Sequence, residues 1–425
     1  MNVLLVGSSG FIGTHLLAGL LDQGHRVVCA GRRAPPLADA AVTFVRRDFR
    51  EHVRVEDWLP YLRGVEVVIN AAGVLADDLD LVHTRGPGAL FDACAAAGVA
   101  RVVQISALGA DARAQTSFHS TKRAADDHLR ALPVAFAIVQ PSLVYGRGGA
   151  SAALLAGLAT APVTPLPGDG EQRIQPIHID DAVAGILALV ANGEPRGATI
   201  AFVGPRAVTL REFLAQLRGA FGLGKPRFVA VPLPLVRAAA RIGKFTGRGL
   251  LNEQTLAMLE RGNVADATPL RRLLGRDPRA VAELVPPATR TLDRAEAARF
   301  WLLPLLRGSL AVLWLVSGIV SLGLYPVSSS LRLLAAVGIS SEPMARAALY
   351  GAAVLDIALG IAVIAMKRRR LLWAAQIAVV IGYTAIITAR LPQLWLEPFG
   401  PVLKNVPVLA LLCFLYATEK REWNT

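Results

Sequence analysis

Residues 1–21 read Met1-Asn2-Val3-Leu4-Leu5-Val6-Gly7-Ser8-Ser9-Gly10-Phe11-Ile12-Gly13-Thr14-His15-Leu16-Leu17-Ala18-Gly19-Leu20-Leu21. The apolar run Val3–Val6 predicts a buried strand. Ile12, Leu16, Leu17, Leu20 and Leu21 recur at helical spacing and predict a helix opening just past Gly10. Between the two, Gly7, Gly10 and Gly13 form a turn in which no Cβ blocks a ligand from the backbone. The free N–H groups and positive dipole end of the helix that follows suit a pyrophosphate. Three glycines in seven residues are common in loops; a strand before them and a helix after them make the pattern specific. The residues expected to line the phosphates are Gly7, Ser9, Gly10, Phe11, Ile12 and Gly13.

Working outward, further strand candidates are Arg26–Ala30, Val42–Val45, Val65–Asn70, Arg101–Ser106 and Phe136–Gln140, with helices between most of them. Buried runs alternating with helices predict a parallel sheet wound on both faces, a Rossmann-type α/β fold. The second strand ends near Cys29-Ala30-Gly31, where a reader of the ribose 2′-hydroxyl would be Asp or Glu. Arg32-Arg33 stands there instead, and paired guanidinium donors suit a 2′-phosphate, so NADP(H) is favoured over NAD(H). From 151 to 284 the chain is mixed and richer in Gly and Pro, read as a smaller substrate lobe of a domain spanning 1–290. In that lobe Thr209 and Glu212 form a capping box, and Val285-Pro286-Pro287 reads as a linker.

The 425 residues are 53% hydrophobic and carry a net charge of +13, with a mean hydropathy of +0.46. Part of such a chain belongs in lipid. No basic run interleaved with aromatics marks the N-terminal half, so the charge is read as facing an anionic leaflet rather than nucleic acid. Apolar stretches at 308–325, 345–366, 371–390 and 402–418 approach the length that spans a bilayer as helix. They predict an all-α transmembrane four-helix bundle over 300–420. Arg294, Arg299, Arg307, Lys367, Arg368, Arg369, Arg370, Lys420 and Arg421 fall on one side, against Arg332, Arg346, Arg390 and Lys404 on the other. With no signal peptide at Met1, this predicts a multi-pass protein of the cytoplasmic (inner) membrane with both termini cytoplasmic. Asp356, Gln376, Lys404 and Asn405 are polar positions within the spans, read as an interhelical hydrogen-bond network or, more sharply, a quinone or proton site. Cys29, Cys94 and Cys413 match neither a disulfide framework nor a metal spacing; no metal is expected.

These residues resemble the extended and atypical short-chain dehydrogenase/reductase (SDR) family over roughly 1–290. VLLVGSSGFIGTHLL resembles its nucleotide fingerprint. Asp48 matches the acid that caps the adenine, Asn70-Ala71-Ala72-Gly73 the turn after the fourth strand, and Ser106 the serine ending the fifth. Gln140-Pro141-Ser142-Leu143-Val144-Tyr145-Gly146 resembles an R-P-x-x-V-Y-G segment, with Gln in place of Arg, and His178-Ile179-Asp180-Asp181 a later V-H-V-x-D segment. The resemblance implies that Asp48, Ala71, Ala72, Gly73, Lys122 and Pro141 contact the cofactor and that Ser106 and Lys122 belong to the catalytic set. The C-terminal part resembles the DoxX-like membrane domains through Arg307-Gly308-Ser309-Leu310, Trp314, and Leu396-Glu397-Pro398-Phe399-Gly400-Pro401 with Lys404-Asn405. That implies a partner in quinone-coupled electron transfer.

One departure bears on chemistry. The family's Tyr-x-x-x-Lys falls here on Phe118-His119-Ser120-Thr121-Lys122, so the lysine is kept and the phenol that protonates the substrate is gone. His119 is a neighbouring titratable group, but adjacent helical residues point about 100° apart, and it is expected at the surface. Tyr145 is expected to be structural. The first functional expectation is a membrane-anchored NADPH-dependent oxidoreductase acting on a lipophilic, quinone-like acceptor. The alternative is a non-catalytic NADPH-binding sensor or assembly factor. Phe118 argues against a sugar-nucleotide epimerase or dehydratase.

Overall fold

The computed structural model describes residues 1–75, 77–193, 195–246, 252–398 and 400–419; Phe399, Lys420 and Arg421, used above, lie outside them. The chain divides into two units, Met1–Phe300 and Trp301–Thr425.

In the first unit the strands and helices alternate: β1 (Asn2–Val6), α1 (Phe11–Asp22), β2 (Arg26–Gly31), β3 (Val42–Arg46), β4 (Val67–Asn70), α2 (Gly86–Ala97), β5 (Arg101–Ile105), α3 (Ser117–Arg130) and β6 (Phe136–Pro141). They continue as β7 (Val144–Tyr145), α4 (Ala150–Thr160), β8 (Thr164–Pro167), β9 (Arg173–Ile174), β10 (Ile177–His178), α5 (Ile179–Asn192), β11 (Ala198–Phe202), β12 (Val208–Thr209), α6 (Leu210–Ala220), β13 (Phe228–Val231), α7 (Leu233–Thr246), α8 (Glu253–Arg261) and α9 (Thr268–Leu274). Seven strands form one sheet in the order β11-β6-β5-β4-β1-β2-β3, every pairing parallel. The seventh, β11, was not among the expected strands; Ala198–Phe202 sits beyond a helix and only its pairing with β6 reveals it.

Alternation along β1 sets the two faces. Val3 and Leu5 pack with Leu16, Leu17 and Leu20 of α1 and Ile186 and Leu189 of α5. Leu4 and Val6 pack with Leu90 and Phe91 of α2 and Leu129 of α3. Sheet order reverses between β1 and β4, which places a crevice at their carboxyl ends, the usual ligand position in open α/β sheets.

The smaller lobe has its own core of Ala156 and Ala159 from α4 and Phe213, Leu214 and Leu217 from α6. Thr209 Oγ1 accepts from Glu212 N at 3.1 Å while the Glu212 carboxylate accepts from Thr209 N at 2.9 Å, the expected capping box. Of the expected linker, Val285 is buried in this lobe's core together with Leu284 and Ala297, while Pro286 and Pro287 are exposed. The helix that follows, α10 (Arg290–Ile319), runs unbroken through the change in composition.

The second unit adds α11 (Val327–Val337), α12 (Glu342–Ala365), α13 (Arg370–Arg390) and α14 (Asn405–Thr418). Among the described residues, three helical stretches are long and apolar enough to cross a membrane: Arg290–Leu324, Glu342–Ala365 and Arg370–Arg390. The expected fourth span, 402–418, is corrected to a 14-residue helix, about 21 Å long against a hydrocarbon core of about 30 Å. Lys404, Asn405 and Pro407 crowd its start, and the helix begins only at Asn405. It still completes the bundle, because Leu412 and Leu415 pack with Leu310 and Trp314 of α10, Leu359 and Val363 of α12, and Trp373 and Val380 of α13. Trp314 Nε1 donates to Gln376 Oε1 at 3.0 Å, and Asn405 Nδ2 to Thr384 Oγ1 at 2.8 Å. Two of the polar positions therefore tie helices together, while Lys404 is exposed.

Candidate functional site: a dinucleotide cradle

Gly7 turns the chain at φ 84°, its N–H donating to Ala30 O at 3.0 Å, and its carbonyl accepts from Gly10 N at 3.0 Å. A Cβ on Gly7 would lie 2.8 Å from Ala72 N, and one on Gly13 would lie 2.1 Å from Gly7 O. The glycines therefore let β1, the start of α1 and Ala71-Ala72 of the β4 turn close on each other. Ser9 and Gly10 remain exposed at the mouth. The Phe11 ring lies against Gly149, whose added Cβ would meet Phe11 Cε1 at 2.9 Å. This cradle fits a dinucleotide: it offers an uncapped helix start, and its backbone segments approach so closely that Gly7 and Gly13 leave no room for a Cβ.

At the carboxyl ends of β2 and β3 a pocket of about 370 Å³ is lined by Arg32, Arg46, Arg47, Asp48, Glu51 and His52. Arg33 is exposed and outside this lining. Arg46 and Arg47 were missed in the sequence, although two basic residues ending a strand next to β2 were a readable signal. Arg47 is held in place, donating from Nη2 to Tyr61 Oη at 2.5 Å with its guanidinium 4.3 Å from the Tyr61 ring centre. Asp48 Oδ1 accepts from Arg50 N at 3.0 Å, which shapes the turn.

On the other side of the crevice, Lys122 is buried. Its Nζ donates to Ala72 O at 3.1 Å and Ile105 O at 3.0 Å, so it bridges the ends of β4 and β5. Burial lowers its pKa, opposed by Asp126 one turn on. A Cβ on Gly73 would lie 3.4 Å from Lys122 Nζ. Pro141 ends β6 and its carbonyl accepts from Leu108 N at 3.0 Å. Ser106 Oγ donates to Asp126 Oδ2 at 2.5 Å, and Asp126 is fully buried, its pKa raised by that burial. Asp126 was not singled out in the sequence, since a carboxylate four residues past a lysine also reads as a surface pair.

The Phe118 ring is half-buried and meets His83 edge-on, centres 5.3 Å apart. His83 was also missed. Val74 N donates to His83 Nε2 at 3.0 Å, so that nitrogen is unprotonated and Nδ1–H faces Thr121 Oγ1 at 3.1 Å. Burial and the charge of Lys122 push the His83 pKa down to about 3. Its folded pKa lies below the unfolded value, so the unfolded chain binds the extra proton between the two, and stability falls as pH drops from about 6.5 toward 3. His83→Gln is expected to flatten that limb of a stability–pH curve; an unchanged limb would assign the acid sensitivity elsewhere.

The expectation for His119 is corrected: it is 5% exposed, because its ring packs on Gly109, where a Cβ would lie 2.9 Å from His119 Cε1. Burial and the neighbouring Arg261 hold its pKa below the ordinary histidine value. Arg261 reaches across from α8, donating to Gly109 O at 2.8 Å and to Asp111 Oδ2 at 2.6 Å. Tyr145 is buried edge-on to Phe213. Buried Asp181 accepts from Arg276 Nη2 at 2.6 Å and Arg279 N at 2.8 Å, anchoring the segment after α9. Among the described residues no group of three or more His, Cys, Asp or Glu side chains is placed to hold a metal.

Residues 3–202 match the NAD dependent epimerase/dehydratase family, and residues 311–413 the DoxX-like family. A ceramide reductase of Caulobacter vibrioides is 30% identical over 248 residues, 56% of this chain and 76% of that protein. A 2-alkyl-3-oxoalkanoate reductase of Stenotrophomonas maltophilia is 26% identical, covering 52% and 76%. The mitochondrial NADH dehydrogenase [ubiquinone] 1 alpha subcomplex subunit 9 of Mus musculus is 25% identical, covering 62% and 72%. The solved UDP-glucuronic acid 4-epimerase of Bacillus cereus in complex with NAD shares the fold, with a TM-score of 0.54 at 16% identity over 71% of this chain and all of that one. The parallel sheet, its glycine turn and these matches together make the chain a member of the NAD-dependent epimerase/dehydratase family, of the atypical SDR type, with a DoxX-like domain at its C-terminal end.

Proposed function

We propose that the protein is a membrane-anchored, NADPH-dependent oxidoreductase acting on a lipophilic, quinone-like acceptor. The observation that carries this reading is a complete nucleotide cradle whose reactive end keeps Lys122 but presents a phenyl ring, Phe118, where the family has a phenol. Gly7, Gly10 and Gly13 would hold the pyrophosphate, Arg32 and Arg46 the 2′-phosphate, and Lys122 the nicotinamide ribose; when bound, the reduced nicotinamide supplies hydride. An acceptor that takes its protons from water has no need of an acid at position 118. Two relatives are named as reductases of lipophilic compounds, a ceramide and a 2-alkyl-3-oxoalkanoate, which supports an acceptor from the lipid phase. The test is NADPH oxidation by the full chain in nanodiscs with a short-chain quinone and, separately, a long-chain ketone. Oxidation with the quinone alone supports the reading. Tight NADPH binding with no oxidation by either would favour the second reading, a non-catalytic sensor or assembly factor, which the loss of the phenol also supports.

Cofactor choice is tested separately. Arg32→Ala with Arg46→Ala is expected to weaken NADPH about ten-fold or more, about 1.4 kcal/mol, and to leave NADH nearly unchanged. Arg33→Ala should do little. Equal losses for both nucleotides would remove these arginines from the 2′-phosphate.

The membrane topology we propose has both termini cytoplasmic, from the Lys367–Arg370 cluster where α12 gives way to α13. A reporter active only outside the cytoplasm is expected to be silent at Arg369 and active at Ser329; the opposite result overturns the orientation.

A further inference from the structure

In the smaller lobe, β8 and β13 form a separate two-stranded parallel sheet, with Thr164 opposite Phe228 and Pro165 opposite Val229. Alternation sorts its side chains. Thr164 and Leu166 are fully buried, and Phe228 turns inward beneath the Arg211 guanidinium, 5.1 Å from its ring centre. Pro165 and Val229 share the other face, and Val163 and Arg227, two residues earlier on each strand, continue the same row. Val163 is 48% exposed and Val229 52%. α7 begins two residues after β13, its Leu233 next to Gly168 at the end of β8, and its Leu235 is 61% exposed. Three of the large apolar side chains left open on the first unit therefore gather around one small sheet.

The charge beside this face is mainly positive. Lys225 and Arg227, leading into β13, are exposed, and neither makes an ion pair among the described residues. Of the other nearby charges, Arg237 pairs with Glu260 at 3.0 Å, Arg241 with Glu253 at 2.7 Å and Glu171 with Arg211 at 3.9 Å, while Asp169, in the turn after β8, is exposed and makes no ion pair among the described residues, so two cations face one carboxylate. An apolar face flanked by unpaired cations is complementary to an anionic bilayer, where aliphatic side chains enter the headgroup boundary and Lys and Arg meet lipid phosphates. Among the described residues the same chain also carries three helices long and apolar enough to cross a membrane, so a bilayer is a surface that this chain meets.

We infer that the outer face of β8 and β13, with the start of α7, is a docking surface for an anionic lipid bilayer. The inference rests on the membrane reading of the second unit and goes beyond it, since the helices alone would tether the lobe without orienting it. Recovery of the chain in a soluble fraction would sink the membrane reading itself; the following experiment addresses only the docking face.

Full-length protein carrying Cys413→Ser, with Cys29 and Cys94 left buried, is labelled with a fluorophore at Val229→Cys or, as a control, at Val264→Cys. It is placed in nanodiscs of phosphatidylcholine with or without phosphatidylglycerol. With phosphatidylglycerol present, iodide quenching at position 229 is expected to fall about three-fold relative to detergent, and brominated lipid to quench the label, while position 264 is unchanged. Lys225→Glu with Arg227→Glu should restore iodide access and leave NADPH affinity as it was. A label at 229 as open to iodide as that at 264 in every lipid overturns the proposal. So does shielding that grows with protein concentration in lipid-free detergent, which would make the face a contact between copies of the chain.

Discussion

Phe118→Tyr is expected to raise carbonyl reduction by about 10²–10⁴, the contribution of a positioned acid in such chemistry. Phe118 lies one helical turn before Lys122 on α3, so a phenol there would stand beside the buried ammonium group. That charge favours phenolate and lowers the pKa of an added hydroxyl. Lys122 is already pinned by Ala72 O and Ile105 O, so the new group needs no rearrangement of its partner. The ring is half-buried and supported edge-on by His83 and His119, which keeps its direction when one oxygen is added. NADPH affinity should barely change. The measurement is turnover of a long-chain 3-oxo ester by native and variant protein, with NADPH binding followed in parallel. Native protein that already reduces the ester at ordinary enzymatic rates would sink the idea and turn attention to His119. A variant that binds NADPH normally but gains nothing would show that the ring does not face the reacting carbon.

The second large effect is expected from Gly13→Ala. The added Cβ would lie 2.1 Å from Gly7 O and 2.8 Å from Gly7 C. Both are backbone atoms in a turn already held by the Gly7 N–H to Ala30 O and Gly10 N–H to Gly7 O bonds. Neither can yield, so α1 must shift away from β1 or the turn must open. Either movement displaces the N–H groups at the start of α1 that we propose for the pyrophosphate. NADPH binding is expected to weaken about a hundred-fold or more, about 2.7 kcal/mol, and overpacking to cost about 1–3 kcal/mol of stability. Gly219→Ala is the control: nothing lies within 4 Å of its added Cβ, it sits within α6, and it should stabilise by about 0.4–1 kcal/mol. Calorimetric titration with NADPH and thermal unfolding of both variants check this. Undiminished affinity in Gly13→Ala would mean that the cradle is not where the phosphates bind.

What could be read from the chain alone was whatever repeats or sits at a fixed local spacing. The Val3–Val6 run, the glycines at 7, 10 and 13 and the helical period from Ile12 to Leu21 are adjacent in sequence, and backbone sterics translate them directly into strand, turn and helix. The same holds for the Thr209–Glu212 cap and the apolar stretches of α10, α12 and α13, whose length sets how far they reach. The absence of a phenol at position 118 needed no structure either, because the resemblance lays Phe118 and Lys122 on the family's Tyr-x-x-x-Lys. Tertiary structure alone decided the contacts between distant segments. Arg46 became a candidate 2′-phosphate ligand only when β3 paired with β2, and β11 became a strand only when β6 accepted it. His83 and Asp126 look like ordinary helix residues until packing buries them against Phe118 and Ser106. His119 left the surface because Gly109 and Arg261, 152 residues apart in the chain, close over it. The physical reason is the same in each case: local periodicity is written in neighbouring residues, whereas burial and pairing depend on which elements the sheet brings side by side.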